Sequence, residues 1–398
     1  MIYVHVPFCH RKCAYCAFYS QPLSSRYLTS DFRLPTSDLR LPTSDLRLPT
    51  SDLRLNYVEA LLREMEERKG EQSHPIKTVY FGGGTPSILP IDQLARVVEG
   101  LHRCFDLSQV EETTIECNPE DLSPDYLNSL RQLGFNRLSI GIQSLDDKVL
   151  RMLNRRHTAQ QALEAVKNAH AAGFNNISVD FIYGLPEVGG QGPEAGVFTS
   201  DFQLLISDLI SHVSAYALTV EPGTALAVQV EQGRVALPDE DEVVRQYHAL
   251  HRQLTDAGFR QYEVSNYARP GCESKHNSRY WDRTPYLGLG PGAHSFDGLH
   301  RRWNINDIGV YCEALKDPKD HKNLFQEETL TATDAYTELL MTALRTVRGL
   351  PVSAVPEKEK KKLQPYLDCS WLVLQDGFYR PTTEGLLHAD GMAADLFV

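Results

Sequence analysis

The sequence has no run of eighteen apolar residues, no excess of positive charge and few cysteines. The missing apolar run excludes a transmembrane helix. A formal net charge of −12 leaves no basic stripe to follow nucleic-acid phosphates. Eight cysteines in 398 residues are too few for a disulfide scaffold. Met1 leads directly into a strand-like segment, so we expect a cytoplasmic protein without a secretory signal, in which thiols stay reduced.

Three of the eight cysteines lie close together near the start of the chain. Cys9, Cys13 and Cys16 have the spacing C-x3-C-x2-C in the run HVPFCHRKCAYCAFYS. Three thiolates can each hold one iron of a 4Fe–4S cluster, which leaves the fourth iron open for a ligand. Zinc is the alternative, with His5 or His10 as the fourth ligand. The other five cysteines are scattered, and we interpret them as small structural residues.

Residues 29–55 repeat a seven-residue unit: TSDFRLP, TSDLRLP, TSDLRLP and a truncated TSDLRL. A heptad period suggests a coiled coil, but Pro35, Pro42 and Pro49 would remove a helix hydrogen bond every two turns. Each unit is neutral, and its few leucines cannot form a core. We therefore expect a flexible surface insertion, which expansion of a repeated coding segment would explain.

Outside this insertion, strand-like and helix-like segments alternate. The expected strands are Ile2–Val6, Thr78–Phe81, Thr113–Cys117, Arg137–Ile142, Asn176–Ile182 and His212–Leu218. Helical periodicity covers about 56–69, 91–104, 123–133, 159–172, 201–211 and 240–257. Strict alternation predicts βαβ units with a parallel sheet, and six units are too few for a closed eight-fold barrel. The expected fold class is therefore α/β, with a partial (β/α)6 barrel over residues 1–225.

The C-terminal region has a different pattern. Thr331–Arg348 predicts an amphipathic helix with Leu339, Leu340, Ala343 and Leu344 on one face. A lysine-rich turn, a short hairpin and a final helix follow. We expect a smaller, mostly helical, winged-helix-like domain over 309–398, and we expect residues 226–308 to complete and connect the barrel.

Polar groups follow the successive strands. The glycines of GGGTPS, residues 82–84, allow a ligand close to the backbone. Glu116 ends the third strand in ECNPE, Gln143 ends the fourth in GIQS, and Asp180 lies near the end of the fifth. Arg155, in NRRH, can pair with a carboxylate. Each residue alone is a common surface or capping residue, but together they predict a ring around one polar ligand.

These motifs resemble the coproporphyrinogen dehydrogenase-like branch of the radical S-adenosylmethionine (SAM) superfamily. The match includes YVHVPFC, GGGTPS, ECNPE, RLSIGIQS, SVDFIYGLP and EPGT, and the 29–55 insertion departs from it. The resemblance implies a radical SAM barrel with a 4Fe–4S cluster on Cys9, Cys13 and Cys16, whose unique iron binds SAM. It assigns the following residues to the cluster and to one or two SAM sites: Tyr3, Gly83, Gly84, Thr85, Glu116, Gln143, Arg155 and Asp180.

Two groups within this branch share the barrel, namely oxygen-independent coproporphyrinogen III oxidases and a paralogous group of heme chaperones. The oxidases have a fourth cysteine two positions after the third one, and this chain has Phe18 at that position. The oxidases also have an N-terminal extension ahead of the cysteine motif, whereas Tyr3 is almost the first residue here. The run KHNSRYW resembles the HNxxYW heme-binding motif of the chaperones. Its His276 is a suitable axial ligand for iron, and Tyr280 and Trp281 offer flat faces to a porphyrin.

The sequence therefore favours a heme chaperone with a cluster and SAM, and the alternative is an oxidase of porphyrin biosynthesis. The expected partners are heme and apo-hemoproteins of the respiratory chain, with transient contact at the membrane and no nucleic acid. The sequence leaves open a homodimer, enzymatic cleavage of SAM and the second axial ligand, for which His294 in GPGAHSF is a candidate. The competing interpretation of His276 is a structural loop histidine beside core aromatics.

Overall fold

The computed structural model describes residues 1–23, 50–71, 74–186, 200–316 and 324–397. Its elements up to residue 217 are β1 (Ile2–Val6), β2 (Phe8–Cys9), β3 (Gln21–Pro22), α1 (Thr50–Arg68), β4 (Thr78–Gly83), α2 (Ile91–Cys104), β5 (Glu112–Cys117), α3 (Pro124–Gln132), β6 (Arg137–Gln143), α4 (Asp147–Met152), α5 (Ala159–Ala171), β7 (Ile177–Tyr183), α6 (Ser200–Leu204) and β8 (His212–Ala217). The later elements are α7 (Ala225–Glu231), α8 (Glu240–Asp256), β9 (Arg260–Gln261), β10 (Asn266–Ala268), α9 (Lys275–Trp281), β11 (Leu287–Leu289), β12 (His294–Phe296), β13 (His300–Asn304), α10 (Ile308–Ala314), β14 (Phe325–Thr329), α11 (Ala332–Ala343), β15 (Leu350–Pro351), α12 (Lys360–Asp368), β16 (Leu372–Gln375), β17 (Phe378–Pro381), α13 (Thr383–Leu387) and α14 (Ala389–Asp395). No helix among these is long and apolar enough to cross a membrane.

Nine strands form the main sheet, in the order β11-β1-β4-β5-β6-β7-β8-β10-β9. The strands from β11 to β8 are all parallel to their neighbours, and β10 and β9 add an antiparallel edge. All six predicted strands are present as successive neighbours, which confirms the α/β partial barrel. Sequence analysis missed β11, because its three residues are too few to show a period.

The parallel strands have one apolar and one polar face. Their apolar positions, among them Val4, Phe81 and Ile115, join the main core cluster with the helices. The alternate positions face the interior of the barrel and are polar. In register, Tyr3 lies opposite Tyr80, Tyr80 opposite Thr114, and Thr114 opposite Arg137. Parallel strands usually bury both faces as apolar runs, so this polar interior is suited to a polar ligand.

A second, smaller core lies at the C-terminal end. β15, β17 and β16 form an antiparallel sheet, and the helices from α11 onward pack on it through Leu340, Leu344, Leu363 and Met392. The order helix, strand, helix and hairpin is that of a winged helix. The preceding helix α10 belongs to the barrel core, to which it contributes Tyr311.

Residues 29–49 of the repeat, which was predicted over 29–55, lie outside the described residues. Its truncated last copy begins α1, so this helix starts at Thr50 and not near residue 56 as predicted. Leu53 packs against the main core, and Arg54 Nη1 donates to the Ile88 carbonyl at 3.2 Å. The other copies end in proline, whereas Asn56 follows the last one and keeps its backbone N–H. Residues 50–55 are therefore a helical turn and not a flexible insertion.

Candidate functional site

A cavity of about 500 Å³ opens at the carboxyl ends of the parallel strands. Such ends are where ligands bind in barrel folds. Ten of the residues predicted from sequence line this cavity: Cys9, Cys13, Cys16, Gly83, Gly84, Thr85, Glu116, Gln143, Arg155 and Asp180. They come from the cysteine loop after β1, from β4, β5, β6 and β7 near their carboxyl ends, and from the segment between α4 and α5 that carries Arg155. The fold thus brings together groups that are up to 171 residues apart.

The cysteine loop places three thiols on the cavity wall. The Thr85 hydroxyl lies 3.6 Å from Cys9 Sγ, and Arg155 Nη1 donates to Cys13 Sγ at 3.2 Å. Burial raises the pKa of Cys9, and it raises the pKa of Cys16 to about 11. A thiol binds iron as the thiolate, so binding of iron to these cysteines must displace their protons.

Three cysteine thiols on the wall of one cavity are a donor set that can hold a 4Fe–4S cluster. Among the described residues, no group of three His, Cys, Asp or Glu side chains is placed to hold one metal ion. A cubane cluster does not require that arrangement, because each thiolate binds a different iron. His5, one of the two candidate fourth ligands for zinc, is engaged elsewhere, since its ring nitrogens contact the Tyr3 hydroxyl at 3.1 Å and the Tyr19 carbonyl at 3.3 Å.

The glycine loop packs directly against the cysteine loop. Gly83 has a φ of +112°, a conformation that favours glycine. A Cβ atom on Gly84 would lie 2.5 Å from the Phe8 carbonyl oxygen and 3.1 Å from Cys9 Sγ. Gly84 therefore has no room for a side chain, and its amide donates to the Val6 carbonyl at 2.9 Å. These contacts fix the position of the first cysteine relative to β4.

Two carboxyl groups form the floor of the cavity. Glu116 accepts from the Tyr80 hydroxyl at 2.8 Å and from the Gly83 amide at 3.1 Å. Burial, with the nearby Asp180 carboxylate adding to it, raises the pKa of Glu116 to about 7. Burial also raises the pKa of Asp180, which accepts from Ser139 at 3.2 Å. The floor can therefore hold a cation or donate a proton near neutral pH.

Arg155 joins three sides of the site. Its Nη2 donates to Asn118 Oδ1 at 2.8 Å and to the Gly141 carbonyl at 2.7 Å, and its Nη1 reaches Cys13. Its buried Nε–H has no partner among the described residues. Pairing of Arg155 with a ligand carboxylate stays a prediction from the sequence. Sequence analysis missed Asn118, although the residue lies within the ECNPE motif.

A histidine and a carboxylate support the Arg155 loop. His157 is buried, its Nε2 lies 3.2 Å from the Ile142 carbonyl, and its Nδ1 lies 3.4 Å from Glu120 Oε2. Next to this contact, Gln143 has a φ of +63° and the register between β6 and β7 shifts. A non-glycine residue in this conformation stores backbone strain, which is common in ligand sites.

Tyr3 is not on the cavity wall. Its ring stacks on Tyr80 with centroids 6.1 Å apart, and its hydroxyl contacts His5 as described above. Tyr80 in turn donates to Glu116. The structure therefore places Tyr3 beneath the floor of the cavity, where it supports the residues that line the site.

The HNxxYW segment lies at the opposite end of the barrel. It forms α9, and His276 is fully buried, with Nδ1 2.9 Å from Thr78 Oγ1 and Nε2 3.1 Å from the Tyr280 hydroxyl. Thr78 is the first residue of β4, whereas the cavity lies at Gly83, the last. A strand of this length spans about 17 Å. The structure therefore does not bring His276 together with the cysteines.

Neither ring nitrogen of His276 is free to bind iron in this conformation. Burial, with Arg137 and Arg279 adding to it, lowers the pKa of His276 to about 3, so its ring is neutral. Trp281, in the same helix, lies under the Arg345 guanidinium at 5.6 Å from its ring centroid. The candidate second ligand, His294, lies in a separate sheet, where its exposed ring stacks on Trp303 at 6.0 Å between centroids.

Several residues at the mouth of the cavity were missed from sequence as site residues. They are Arg11, Lys12, Tyr15, Tyr216 and Leu218, together with Phe18, which was noted only as a replaced cysteine. The Phe18 side chain is 72% exposed. The basic pair inside the cysteine motif was the one signal in the sequence that could have indicated them.

Comparisons with known proteins show the family to which the chain is similar. A family model described as "Radical SAM superfamily" matches residues 3–194. A protein named "Heme chaperone HemW" from Mycobacterium tuberculosis (strain ATCC 25618 / H37Rv) is 34% identical over 99% of this chain and 94% of its own length. The protein of the same name from Bacillus subtilis (strain 168) is 30% identical over 91% of this chain and 87% of its own length. The solved coproporphyrinogen III oxidase (HemN) of Escherichia coli has a TM-score of 0.78, covering 100% of this chain and 89% of its own, and at 22% identity it shows the shared fold alone.

Proposed function

This chain belongs to the HemW family within the radical SAM superfamily, and from that premise we propose that it is a heme chaperone. It binds heme and delivers it to apo-hemoproteins of the respiratory chain, from the cytoplasm and with transient contact at the membrane. The observation that carries this proposal is the match over 99% of the chain to a protein named as a heme chaperone. The barrel alone cannot carry it, because the oxidase has the same fold.

A 4Fe–4S cluster and SAM are part of this proposal. Cys9, Cys13 and Cys16 would hold three irons of the cluster. When bound, a cluster of this kind supplies an open iron for SAM and an electron. The residues that would bind SAM divide by charge, since the carboxyl groups of Glu116 and Asp180 and the guanidinium of Arg155 all line the cavity.

The chain's own groups determine how SAM would be oriented. The two acidic side chains at the floor favour the cationic part of SAM, and the arginine favours its carboxylate. Gly83 and Gly84 line the cavity, and the close approach of Phe8 to Gly84 keeps that loop beside the cysteines. The protein thus contributes positioning around the cluster.

The proposal is tested by anaerobic titration of the cluster-reconstituted full chain with hemin, followed by visible absorption. We expect saturable binding of about one heme per chain, and transfer of that heme to an apo-hemoprotein such as apomyoglobin on mixing. Binding that does not saturate, or heme that stays on the chain in the presence of the acceptor, would contradict the chaperone.

The second candidate function is coproporphyrinogen III oxidation, because a protein with that activity has the same fold and the fold alone does not separate the two functions. It is distinguished by incubating the reconstituted chain with coproporphyrinogen III, SAM and a reductant, and measuring the vinyl product. We expect no product above that of a chain lacking its cluster. Phe18, where the oxidases carry a further cysteine, leads us to this expectation.

A further inference from the structure

We infer that heme binds across the mouth of the cavity, on a rim formed by Arg11, Lys12, Phe18, Tyr216 and Leu218, and not on the HNxxYW histidine. This inference rests on the proposed function and deepens it by naming the site. All five residues line the cavity that also contains the three cysteines.

His276 is enclosed inside the barrel. The ring has no exposed surface, and each of its nitrogens already has a partner inside the barrel, on Thr78 and on Tyr280. Iron could reach it only if α9 left the barrel, which would also break the bonds of the Lys275 and His276 amides to Glu112. Buried polar groups that lose their partners are costly, so this route requires a large rearrangement.

The rim has an exposed apolar surface. Phe18 is 72% exposed and Tyr216 is 43% exposed. Tyr216 is at an interior-facing position of β8, so its exposed surface faces the cavity that it lines. Large aromatic rings left open around a concave site are typical of surfaces that bind a flat apolar ligand.

The charges of the rim are complementary to those of heme. Heme is a flat apolar molecule with two propionates, and the rim offers the cations Arg11 and Lys12 beside its aromatic rings. The inner end of the cavity contains the carboxyl groups of Glu116 and Asp180, which would repel propionates. Glu221 also lines the outer part, so the favourable orientation places the propionates toward the cysteine loop and away from Glu221.

The arrangement has a consequence for cargo transfer. Heme on the rim would lie over the mouth of the site that holds the cluster and SAM, so the occupants of the inner site would contact it. It would also remain open to solvent on one face, where an acceptor protein could take it.

The test compares hemin affinity of the cluster-reconstituted full chain and four variants. Phe18→Ala removes the exposed ring and should raise the Kd for hemin about tenfold. Lys12→Glu reverses a rim charge and should raise the Kd about fivefold. The matched controls are Leu374→Ala, a 59% exposed side chain in the second domain, and Lys358→Glu, a 79% exposed lysine, and both should bind like the unmodified chain.

A second readout is hydrogen–deuterium exchange with and without hemin. Slower exchange of residues 11–18, with exchange of α9 unchanged, supports the rim. Faster exchange of α9 with an unchanged rim would overturn it in favour of His276. Equal hemin affinity of the unmodified chain and the two rim variants would also overturn the rim site but not the proposed function, whereas an unmodified chain without saturable hemin binding would overturn both.

Discussion

Gly84 and Cys9 are far apart in sequence and in contact in the structure. The carbonyl of Phe8 and the sulfur of Cys9 occupy the space where a side chain on Gly84 would be. Residues without a functional group can therefore determine whether a cluster site forms, since the position of a thiol depends on how closely the two loops approach. Asn118 acts at one remove, because it binds both Thr85 and Arg155, and these two residues contact Cys9 and Cys13.

We predict that Gly84→Ala prevents normal assembly of the cluster. The added methyl group must displace the cysteine loop, at a cost of about 1 to 3 kcal/mol in the free energy of unfolding. Iron and sulfide content after anaerobic reconstitution measures the effect, and we expect it to fall well below that of the unmodified chain.

The control for this prediction is Gly391→Ala. Gly391 lies in α14, and a Cβ atom there would meet no atom within 4 Å. Alanine is a better helix former than glycine, so this variant should retain its cluster and its stability. A full complement of iron in Gly84→Ala would show that the close approach of the two loops is not required.

At the scale of elements, α9 closes the amino end of the barrel. It has only seven residues, too few for a stable isolated helix, so it depends on its partners. Ser274 caps its N-terminus by accepting from the Asn277 amide. Glu112, at the start of β5, accepts from the amides of Lys275 and His276. An anion at the first turn stabilises a helix, which gives β5 a role in positioning the HNxxYW segment.

We predict that His276→Ala lowers the free energy of unfolding by about 2 to 4 kcal/mol at pH 7.5, because it leaves a cavity and two unpaired hydroxyl groups. The folded pKa of His276 is about 3, below its ordinary value of 6.5. The unfolded chain therefore binds a proton below pH 6.5 that the folded chain does not bind. The stability due to the neutral ring is present above pH 6.5 and is lost as the pH falls toward 3, by up to about 1.4 kcal/mol per pH unit.

The gap in stability between His276→Ala and the unmodified chain should therefore narrow by roughly 1 to 2 kcal/mol between pH 6.5 and 5. Urea unfolding at several pH values measures it. His74→Ala, at an exposed histidine, should leave the stability close to that of the unmodified chain throughout. A gap that does not change with pH would contradict the burial of a neutral ring at position 276.

At the scale of the whole molecule, two cores are joined across α9 and α11. Glu338 on α11 accepts from Arg283 at 3.1 Å and from Arg301 at 2.6 Å, and the Val264 amide donates to the Arg345 carbonyl at 2.9 Å. Arg345 also covers Trp281, the last residue of α9. Among the described residues, the smaller core therefore packs against the closed end of the barrel.

The repeat gives a prediction at the same scale. Deleting 29–49, which are three complete repeat units outside the described residues, should leave the unfolding midpoint and the cluster content unchanged. Deleting 29–55 should lower the free energy of unfolding by about 1 to 3 kcal/mol, because it removes the packing of Leu53 and the bond of Arg54 to Ile88. Chemical denaturation of both deletion variants measures the difference, and equal stability would show that the first turn of α1 contributes nothing.

Local pattern in the sequence predicted the barrel and the cavity residues well. Strand periodicity and the position of polar groups after each strand are properties of short segments, and parallel strands bring their carboxyl ends to one edge. Six of the ten predicted residues that line the cavity were identified in this way, namely Gly83, Gly84, Thr85, Glu116, Gln143 and Asp180. The cysteine spacing is also local, since all three thiols lie within eight residues.

The sequence by itself thus determined the order of the parallel strands, the motif with three cysteines and the set of polar strand ends, because each depends on neighbours along the chain. Only the tertiary structure decided what His276 does. Its partner Thr78 is 198 residues away along the chain. No local pattern predicts that a histidine in a segment like a heme-binding motif packs against the first residue of β4. The rim of the cavity was decided in the same way, since Phe18 and Tyr216 face one opening only once β8 is in place beside β7.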